Sequence, residues 1–253
     1  MTQDLILETH LKKLRLPSML RHYHKLAAEA AENNKTHEQY LLMLLDEEVR
    51  NREENARVNH IRQARFPTAK TLSQFDFPSL PTLNKPLILK LAQGEYLDKA
   101  ENVVILGNSG TGKTHIATAL GMEACAKGKK VLFHTAAELV NLLTEAQAEY
   151  RLSRVEHKLS QVDLLIVDEL GYLTLAENGL KLLFSLLSKR HEKKSSIITT
   201  NLPFEQWHSI FGDPAMTVAL VDRLTHHCHL VEMNGESFRF KDGLRKKEAA
   251  AAA

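Results

Sequence analysis

Cysteine is scarce in this sequence: Cys125 and Cys228 are the two among its 253 residues. They stand far apart and outside any C-x-x-C spacing, which argues against a disulfide framework and favours an intracellular compartment. Long apolar runs are lacking too, and no segment approaches the roughly 18 residues of a membrane-spanning helix. The first residues also lack the basic start and apolar run of a signal peptide. We therefore expect a cytoplasmic protein that has no membrane partner.

An excess of charge of either sign is also lacking. The 33 lysines and arginines offset 31 aspartates and glutamates, which leaves a net charge of +2. The hydrophobic fraction of 43% and the charged fraction of 25% are ordinary for a globular protein. These values exclude a largely disordered chain, and the small positive charge gives little support by itself for nucleic-acid binding.

The chain changes character three times along its length. Apolar residues recur at helical spacing over residues 1–66, which predicts a small all-helical N-terminal domain. Prolines then break any long helix, so residues 67–100 are interpreted as a linker and the start of the next module. Over residues 101–240, short apolar runs alternate with helical patterns. The stretch of about 137–160 is predicted as helical, without a commitment to the number of helices in it. The alternation as a whole predicts an α/β fold in which a parallel five-stranded sheet lies between helices. Residues 241–253 predict a disordered basic and alanine-rich tail.

The most specific motif lies between the first predicted strand and the helix that follows it. Residues 107–114, GNSGTGKT, match the phosphate-loop pattern G-x-x-x-x-G-K-[ST] in full. Glycines let the backbone N–H groups of such a loop converge on a phosphate, and the helix N-terminus adds partial positive charge. In this role Lys113 reaches the β- and γ-phosphates, and the Thr114 hydroxyl ligates Mg²⁺. A glycine-rich turn without nucleotide is the alternative, and the complete motif between a strand and a helix disfavours it.

A second, acidic motif ends the third predicted strand. Asp168 and Glu169 follow the apolar run 164–167, so a parallel sheet places them at the edge where a nucleotide binds. We expect Asp168 to hold Mg²⁺ together with Thr114, and Glu169 to act as the general base toward water. The alternative is a strand that ends in a solvated acidic turn. The candidate nucleotide-binding residues are Gly107, Asn108, Ser109, Gly110, Thr111, Gly112, Lys113, Thr114, His115 and Asp168.

Two further polar residues are candidates for the same chemistry. Asn201 ends the fourth predicted strand, and it faces the γ-phosphate if that strand lies between the loop strand and the acidic strand. Alternatively, Asn201 caps the turn before Pro203. Arg223 lies on a predicted helix, where a salt bridge with Asp222 or Glu205 competes with a role as an arginine finger in a neighbour's ATP site. Lys113, Glu169, Asn201 and Arg223 are thus the candidate catalytic residues.

Taken in order, these segments resemble the IstB family, the ATPase helpers of IstA transposases in insertion sequences. They are similar also to the helicase loader DnaC, and both groups belong to the initiator clade of AAA+ ATPases. The resemblance covers nearly the whole chain, and the region 11–19 favours IstB over DnaC. The segments that carry it are a helical N-terminal region, 72–77, 107–114, 164–172, 197–201 and 222–224.

The resemblance implies a specific activity and specific partners. Residues 101–240 become an AAA+ core without a C-terminal lid domain, and residues 1–66 a domain for DNA, partner or self-assembly contacts. Members of this group bind ATP and Mg²⁺, hydrolyse ATP, bind DNA and form homo-oligomers in which an arginine, here Arg223, completes a neighbouring site. An IstA-like transposase is the implied partner. A replicative helicase loader, or an ATP-gated DNA scaffold with little turnover, remains the alternative, and replacement of Glu169 separates the scaffold from an ATPase.

Basic residues on predicted helices are the candidates for DNA contact. A basic run over 189–194 is a weaker candidate, because cations are expected at any helix C-terminus. For each group the alternative is a solvated charged face. No recognition helix or zinc finger stands out, so we expect phosphate contacts with little reading of base sequence. The candidate DNA-binding residues are Arg57, Arg62, Arg65, Arg151, Arg154 and Lys158.

The run His226-His-Cys-His229 contains four residue types that bind metals. If the run is a strand, successive side chains point to opposite faces, and the four cannot converge on one ion. The sequence therefore gives no support for a metal site formed by this run.

Overall fold

The computed structural model describes residues 3–171 and 177–235. The predicted tail, 241–253, therefore lies outside the described residues. The chain divides into two compact units, with the division between Asn59 and His60. Among the described residues no helix combines the length and the apolar character that a membrane crossing requires.

The N-terminal unit is helical, as the apolar spacing predicts. Helix α1 spans Gln3–Lys13 and α2 spans Pro17–Glu32, while α3 spans His37–Ala64 and extends beyond this unit. A capping box opens α3. The Gln39 side chain accepts the backbone N–H of Thr36 at 3.0 Å, and the Thr36 hydroxyl accepts that of Gln39 at 3.3 Å. A small core holds the three helices together, formed by Leu11, Met19, Tyr23 and Leu44.

A buried carboxylate supports the start of α2. Glu48 of α3 is 3% exposed and accepts the backbone N–H groups of Ser18 at 2.8 Å and Met19 at 3.3 Å. The first N–H groups of a helix have no partner within the helix, and Leu16 at the N-cap offers no side-chain acceptor. Arg52 donates to the other oxygen of Glu48 at 2.8 Å, so the buried charge is compensated.

The last turn of α3 belongs to the second unit. Ala64 is fully buried in the core of that unit, and Ile61 packs against the same core. The sequence placed the boundary after residue 66, because the helical pattern continues to that point. Contacts between residues far apart in the sequence, which periodicity does not show, place the division of the two compact units between residues 59 and 60.

The second unit contains the predicted parallel sheet, with strands in the order β2-β3-β4-β1-β5. Strand β4 lies between β1 and β3, which is the sheet order under which Asn201 is expected to face the γ-phosphate. The strands are β1 Asn102–Gly107, β2 Val131–Thr135, β3 Leu164–Leu170, β4 Ser195–Thr200 and β5 Cys228–Met233. The helices are α4 Lys85–Ala92, α5 Glu95–Asp98, α6 Lys113–Ala126, α7 Ala136–Ala148, α8 Leu152–Ser160, α9 Glu177–Arg190, α10 His208–Phe211 and α11 Pro214–His226.

Helices cover both faces of this sheet, which explains its continuous apolar runs. In β1, Val103 and Ile105 belong to one core, to which α4 and α6 contribute. Val104 belongs to the opposite core, which includes residues of α7, α9 and α11. Because both faces are buried, the polar ends of the strands are the positions left for chemistry.

The stretch of about 137–160, predicted as helical, is divided into two helices. Helix α7 ends at Ala148, and Tyr150 adopts a left-handed conformation with φ of 56°. The backbone N–H of Arg151 donates to the carbonyl of Ala146 at 2.7 Å, and this bond closes the helix end. Helix α8 then begins at Leu152, with Arg151 as its N-cap. A left-handed tyrosine leaves no trace in hydrophobic periodicity, so the break could not be read from the pattern.

Candidate nucleotide-binding site

The phosphate loop joins β1 to α6 at the carboxyl edge of the sheet. Gly110 and Gly112 have φ values of 79° and 97°, a left-handed backbone that favours glycine. Lys113 is 7% exposed, and its ammonium group donates to the carbonyls of Gly107 at 2.7 Å and Asn108 at 2.8 Å. The loop therefore curves around the lysine that the sequence assigned to the phosphates.

The two predicted Mg²⁺ ligands lie beside each other. Thr114 follows Lys113 in α6, and its hydroxyl donates to Asp168 at 2.9 Å from Oδ2 and 3.1 Å from Oδ1. Asp168 is 3% exposed at the end of β3. A hydroxyl and a carboxylate are hard oxygen ligands of the kind that Mg²⁺ binds, so this donor set fits the ion. The juxtaposition depends on the sheet order, because Thr114 follows β1 and Asp168 lies two strands away.

Glu169 lies on an irregularity of β3. The register of β3 against β4 shifts between Val167 and Leu170, and Glu169 has a φ of 61°. Its two neighbours, Asp168 and Leu170, are buried, whereas Glu169 is exposed. Its side chain lines the same cavity as residues 109–115 of the loop. A carboxylate that faces the cavity and is free of the buried ladder is suited to act on water.

The linker after α3 forms the opposite wall of this cavity. Lys70, Gln74, Phe75, Asp76 and Ser79 line it together with the loop. His115 of the loop region contacts this linker. Its Nε2 lies 2.8 Å from the carbonyl oxygen of Thr71, and its ring packs edge-on to the Phe75 ring with 5.2 Å between the ring centres. Sequence reasoning did not assign these linker residues to the site. The signal was Phe75 in a proline-rich segment, a large apolar side chain that needs a packing partner.

Asn201 follows β4 directly, as predicted, but its amide oxygen does not line the cavity. That oxygen is buried and has no hydrogen-bond partner among the described residues. It lies beside Gly171, where an added Cβ would approach it to 3.0 Å. The residue of β4 that does line the cavity is Thr199, whose hydroxyl donates to Asp168. Sequence reasoning missed Thr199, because threonine is common at the end of a buried strand.

Arg223 lies on the surface of α11. Its Nη1 donates to the Ser188 hydroxyl at 2.8 Å, and its guanidinium lies 5.7 Å from the centre of the Phe184 ring. Within the described ranges it forms no ion pair with Asp222 or Glu205, the partners that the salt-bridge alternative named. The arginine is therefore held at the surface by α9, and it is not among the residues that line the cavity of its own chain.

The candidate DNA contacts differ in how their charges are compensated. Arg154 and Lys158 are exposed one turn apart on α8, without an ion-pair partner in the part of the chain that the structure describes. Arg151, at the N-cap, pairs with Glu149. Helix α8 thus carries two cations that are available for phosphate.

The remaining arginines from the same prediction are placed differently. Arg57 forms two hydrogen bonds with Glu54, at 2.8 and 2.9 Å. Arg62 is exposed on α3. Arg65 lines a different cavity together with Glu138 and other residues of the second unit.

Three cations of the basic run over 189–194 have partners within the fold. Lys189 pairs with Glu156 at 2.8 Å, and Lys194 pairs with Asp163 at 2.5 Å. Arg190 is buried and donates to backbone carbonyls, including that of Ser195 at 2.7 Å. Burial lowers the pKa of Arg190 to about 10, which leaves its guanidinium charged at neutral pH.

The histidine run is split between two elements. His226 ends α11, whereas Cys228 and His229 belong to β5. His226 approaches two residues that follow α9, His191 and Glu192, and the three offer ligand atoms within 4.8 Å of one another. The predicted strand alternation applies to residues 228–229 only, because His226 is helical.

Sequence comparisons identify relatives over nearly the full length. A family model described as IstB-like ATP binding protein matches residues 9–248. A relative from Pseudomonas aeruginosa, named as an ATP-binding protein of insertion sequence IS21, is 38% identical over 236 residues, which cover 93% of this chain and 89% of the relative. A relative from Bacillus thuringiensis subsp. berliner, named for insertion sequence IS232, is 37% identical and covers 95% and 96% of the two chains.

Solved structures share the architecture. AMPPCP-bound DnaA from Aquifex aeolicus superposes with a TM-score of 0.57 at 21% identity, over 73% of this chain and 56% of that chain. The DnaC helicase loader superposes with a TM-score of 0.52 at 21% identity, over 72% of this chain and 98% of the loader. These likenesses confirm the predicted AAA+-type α/β fold.

Proposed function

Because the chain belongs to the IstB-like ATP-binding protein family, we propose that it is a Mg²⁺-dependent ATPase that assembles on DNA and assists the transposase of an insertion sequence. The observation that carries the proposal is the contact between Thr114 and Asp168 beside the buried Lys113, with Glu169 on the wall of the same cavity. Binding of a nucleotide with its metal ion needs Thr114, Asp168 and Lys113, and hydrolysis needs Glu169 as well.

Each residue has a defined task in this proposal. Lys113 exchanges its carbonyl partners for oxygens of the β- and γ-phosphates, and the backbone N–H groups of the loop hold the phosphate chain. Thr114 and Asp168 would hold the Mg²⁺ ion, which would supply positive charge to neutralise the transferred phosphoryl group. Glu169 accepts a proton from the attacking water. The exposed position of Glu169 lets it reach that water without displacing Asp168.

Arg223 supports a composite site formed by two subunits. It lies outside the cavity of its own chain, and Ser188 and Phe184 hold it at the surface. A cation fixed in this way can stabilise negative charge on the γ-phosphate of a neighbour's ATP. We therefore assign Arg223 to the site of the adjacent subunit, so that ATP links the two chains.

A transposase is a better supported partner than a replicative helicase. The relatives at 37–38% identity are named for insertion sequences. The DnaC loader shares 21% identity, a level at which the likeness supports the fold alone. We assign the DNA contacts to Arg154 and Lys158. Neither has an ion-pair partner in the described part of the chain, and their charges favour phosphate rather than base edges.

Replacement of Glu169 by glutamine tests the hydrolytic part of the proposal. The amide keeps the size of the side chain but cannot accept a proton, so turnover should fall about 100- to 10,000-fold while ATP binding stays at the wild-type level. Phosphate release measures turnover, and a fluorescent ATP analogue measures binding. Equal phosphate release by wild type and Glu169→Gln would remove this residue from catalysis. A wild type that binds ATP without turnover would support the scaffold alternative.

The partner is tested separately. Strand transfer by the transposase of the same insertion sequence should increase when this protein and ATP are added. Addition of a replicative helicase to the same reaction should leave strand transfer unchanged. Wild type and Glu169→Gln are compared in the same reaction. Stimulation of helicase loading without any effect on strand transfer would replace the transposase with the helicase as the partner.

A further inference from the structure

The hydroxyl of Thr199 connects the two acidic residues of the site. It accepts the backbone N–H of Glu169 at 2.9 Å and donates its proton to Oδ1 of Asp168. Thr199 is fully buried in β4, the strand between the phosphate-loop strand and the acidic strand. A hydroxyl has one proton to donate, so the donor role of Thr199 is committed to Asp168.

The irregularity in β3 explains why a side chain is needed at this point. In a regular parallel ladder the N–H of a strand residue donates to a backbone carbonyl of the adjacent strand. The register shift between Val167 and Leu170 removes Glu169 from that pattern, and the Thr199 hydroxyl takes the place of the missing carbonyl. The left-handed backbone of Glu169 is thus held by a side chain of the neighbouring strand.

The same hydroxyl also orients Asp168. Thr114 approaches both carboxylate oxygens, and Thr199 approaches Oδ1 alone. With Oδ1 bound from the side of β4, Oδ2 is directed toward Thr114. Groups that hydrogen-bond to a metal ligand commonly fix its orientation, and their removal weakens metal binding.

We propose that Thr199 is a positioning residue that aims the carboxylate of Asp168 at Mg²⁺ and holds the backbone that presents Glu169 to water. This inference rests on the proposed ATPase function, because it concerns the residues assigned to Mg²⁺ and to the general base. One side chain thereby couples metal binding to the placement of the base.

Three variants of the full-length protein test this assignment. Thr199→Val keeps the shape of the side chain without the hydroxyl, and Thr199→Ser keeps the hydroxyl without the methyl group. Ser195→Ala is the matched control, because Ser195 is also fully buried in β4 and donates to the carbonyl of Tyr96 at 3.1 Å, at the opposite end of the strand. Thr199→Ala replaces Thr199→Val if a methyl group against the carboxylate prevents folding.

The first readout is binding of a non-hydrolysable fluorescent ATP analogue as Mg²⁺ is titrated. Thr199→Val should require at least about tenfold more Mg²⁺ for half-maximal enhancement of binding, the low end of the effect expected from losing such a partner. Its affinity in EDTA should match the wild type. Thr199→Ser should remain within about twofold to threefold of the wild type, since it retains the hydroxyl. Ser195→Ala should lower the melting temperature and leave the Mg²⁺ requirement unchanged.

A second comparison uses Asp168→Asn. If Thr199 acts through Asp168, adding Thr199→Val to Asp168→Asn should not change the Mg²⁺ requirement further. An unchanged requirement in Thr199→Val, or independent effects of the two substitutions, overturns the inference and leaves Thr199 as a structural residue. Because the titration measures binding, it remains decisive even if the wild type hydrolyses no ATP, an outcome that would refute only the proposed function.

Discussion

Alanine at both Arg154 and Lys158 should reduce the salt dependence of DNA binding. The two side chains are exposed on one side of α8, and neither has an ion-pair partner among the residues that the structure describes. Each cation that contacts a phosphate releases bound counterions, which contributes about 0.9 to the slope of log affinity against log salt. Two such contacts give about 1.8. Between about 50 and 200 mM salt, the wild type should then lose about tenfold more affinity than the double variant.

Arg151 should contribute less than either of these residues. It pairs with Glu149, so a phosphate must replace an existing partner before any counterion is released. A triple variant that includes Arg151→Ala should therefore change the slope by less than a further 0.9 or so. The expected order of the three contributions follows from the ion pair of Arg151. The sequence spacing of the three residues gives no reason to rank them.

Fluorescence anisotropy of a labelled duplex measures these slopes, with the ATP analogue held at a constant saturating concentration. Lys189→Ala with Lys194→Ala is the matched control, because it removes the same amount of charge from cations already paired with Glu156 and Asp163. The control should keep a slope close to that of the wild type. Parallel lines for wild type and the Arg154 and Lys158 variant would refute the assignment. Equal changes in the variant and the control would show that net charge, rather than contact, sets the slope.

Three other outcomes are expected. Lys113→Ala should weaken ATP binding about 10- to 100-fold, because it removes a charge-assisted hydrogen bond worth about 1.5–3 kcal/mol, and the fluorescent analogue measures this loss. Arg223→Ala should bind ATP but lose turnover, and mixing it with Lys113→Ala should restore some phosphate release through one intact composite site; no recovery in mixtures that co-assemble would place Arg223 within its own subunit. Glu48→Ala should lower the free energy of unfolding of the N-terminal unit by about 1–3 kcal/mol in urea, because the N–H groups of Ser18 and Met19 lose their acceptor; an unchanged midpoint would show that water replaces the carboxylate.

Local motifs carried most of what the sequence could predict. The phosphate loop is contiguous, so its strand, glycines and lysine are all visible within a few residues. The five strands are also local, because burial on both faces makes each one a continuous apolar run. The contact between Thr114 and Asp168 follows once the sheet order is known, and the acidic motif anticipated it.

Features that depend on distant packing were harder to predict. The prolines identify residues 67–100 as a linker and the start of the next module. The position of this linker beside the phosphate loop, however, arises from the contacts of His115 with Phe75 and Thr71. Thr199 is a functional candidate only because β4 lies beside a bulge in β3. The turn at Tyr150 depends on the left-handed backbone of one residue, which the hydrophobic pattern of the sequence does not reveal.

The two carbonyl hydrogen bonds of Lys113 have a consequence for ligand discrimination. Its ammonium group already donates to Gly107 and Asn108, so an incoming group must compete with two good acceptors rather than with water. An uncharged oxygen offers no advantage over a peptide carbonyl, whereas a phosphate oxygen forms a charge-assisted hydrogen bond about twice as strong as a neutral one. The loop should therefore bind polyanions more tightly than neutral metabolites, independently of any contact with a base or sugar.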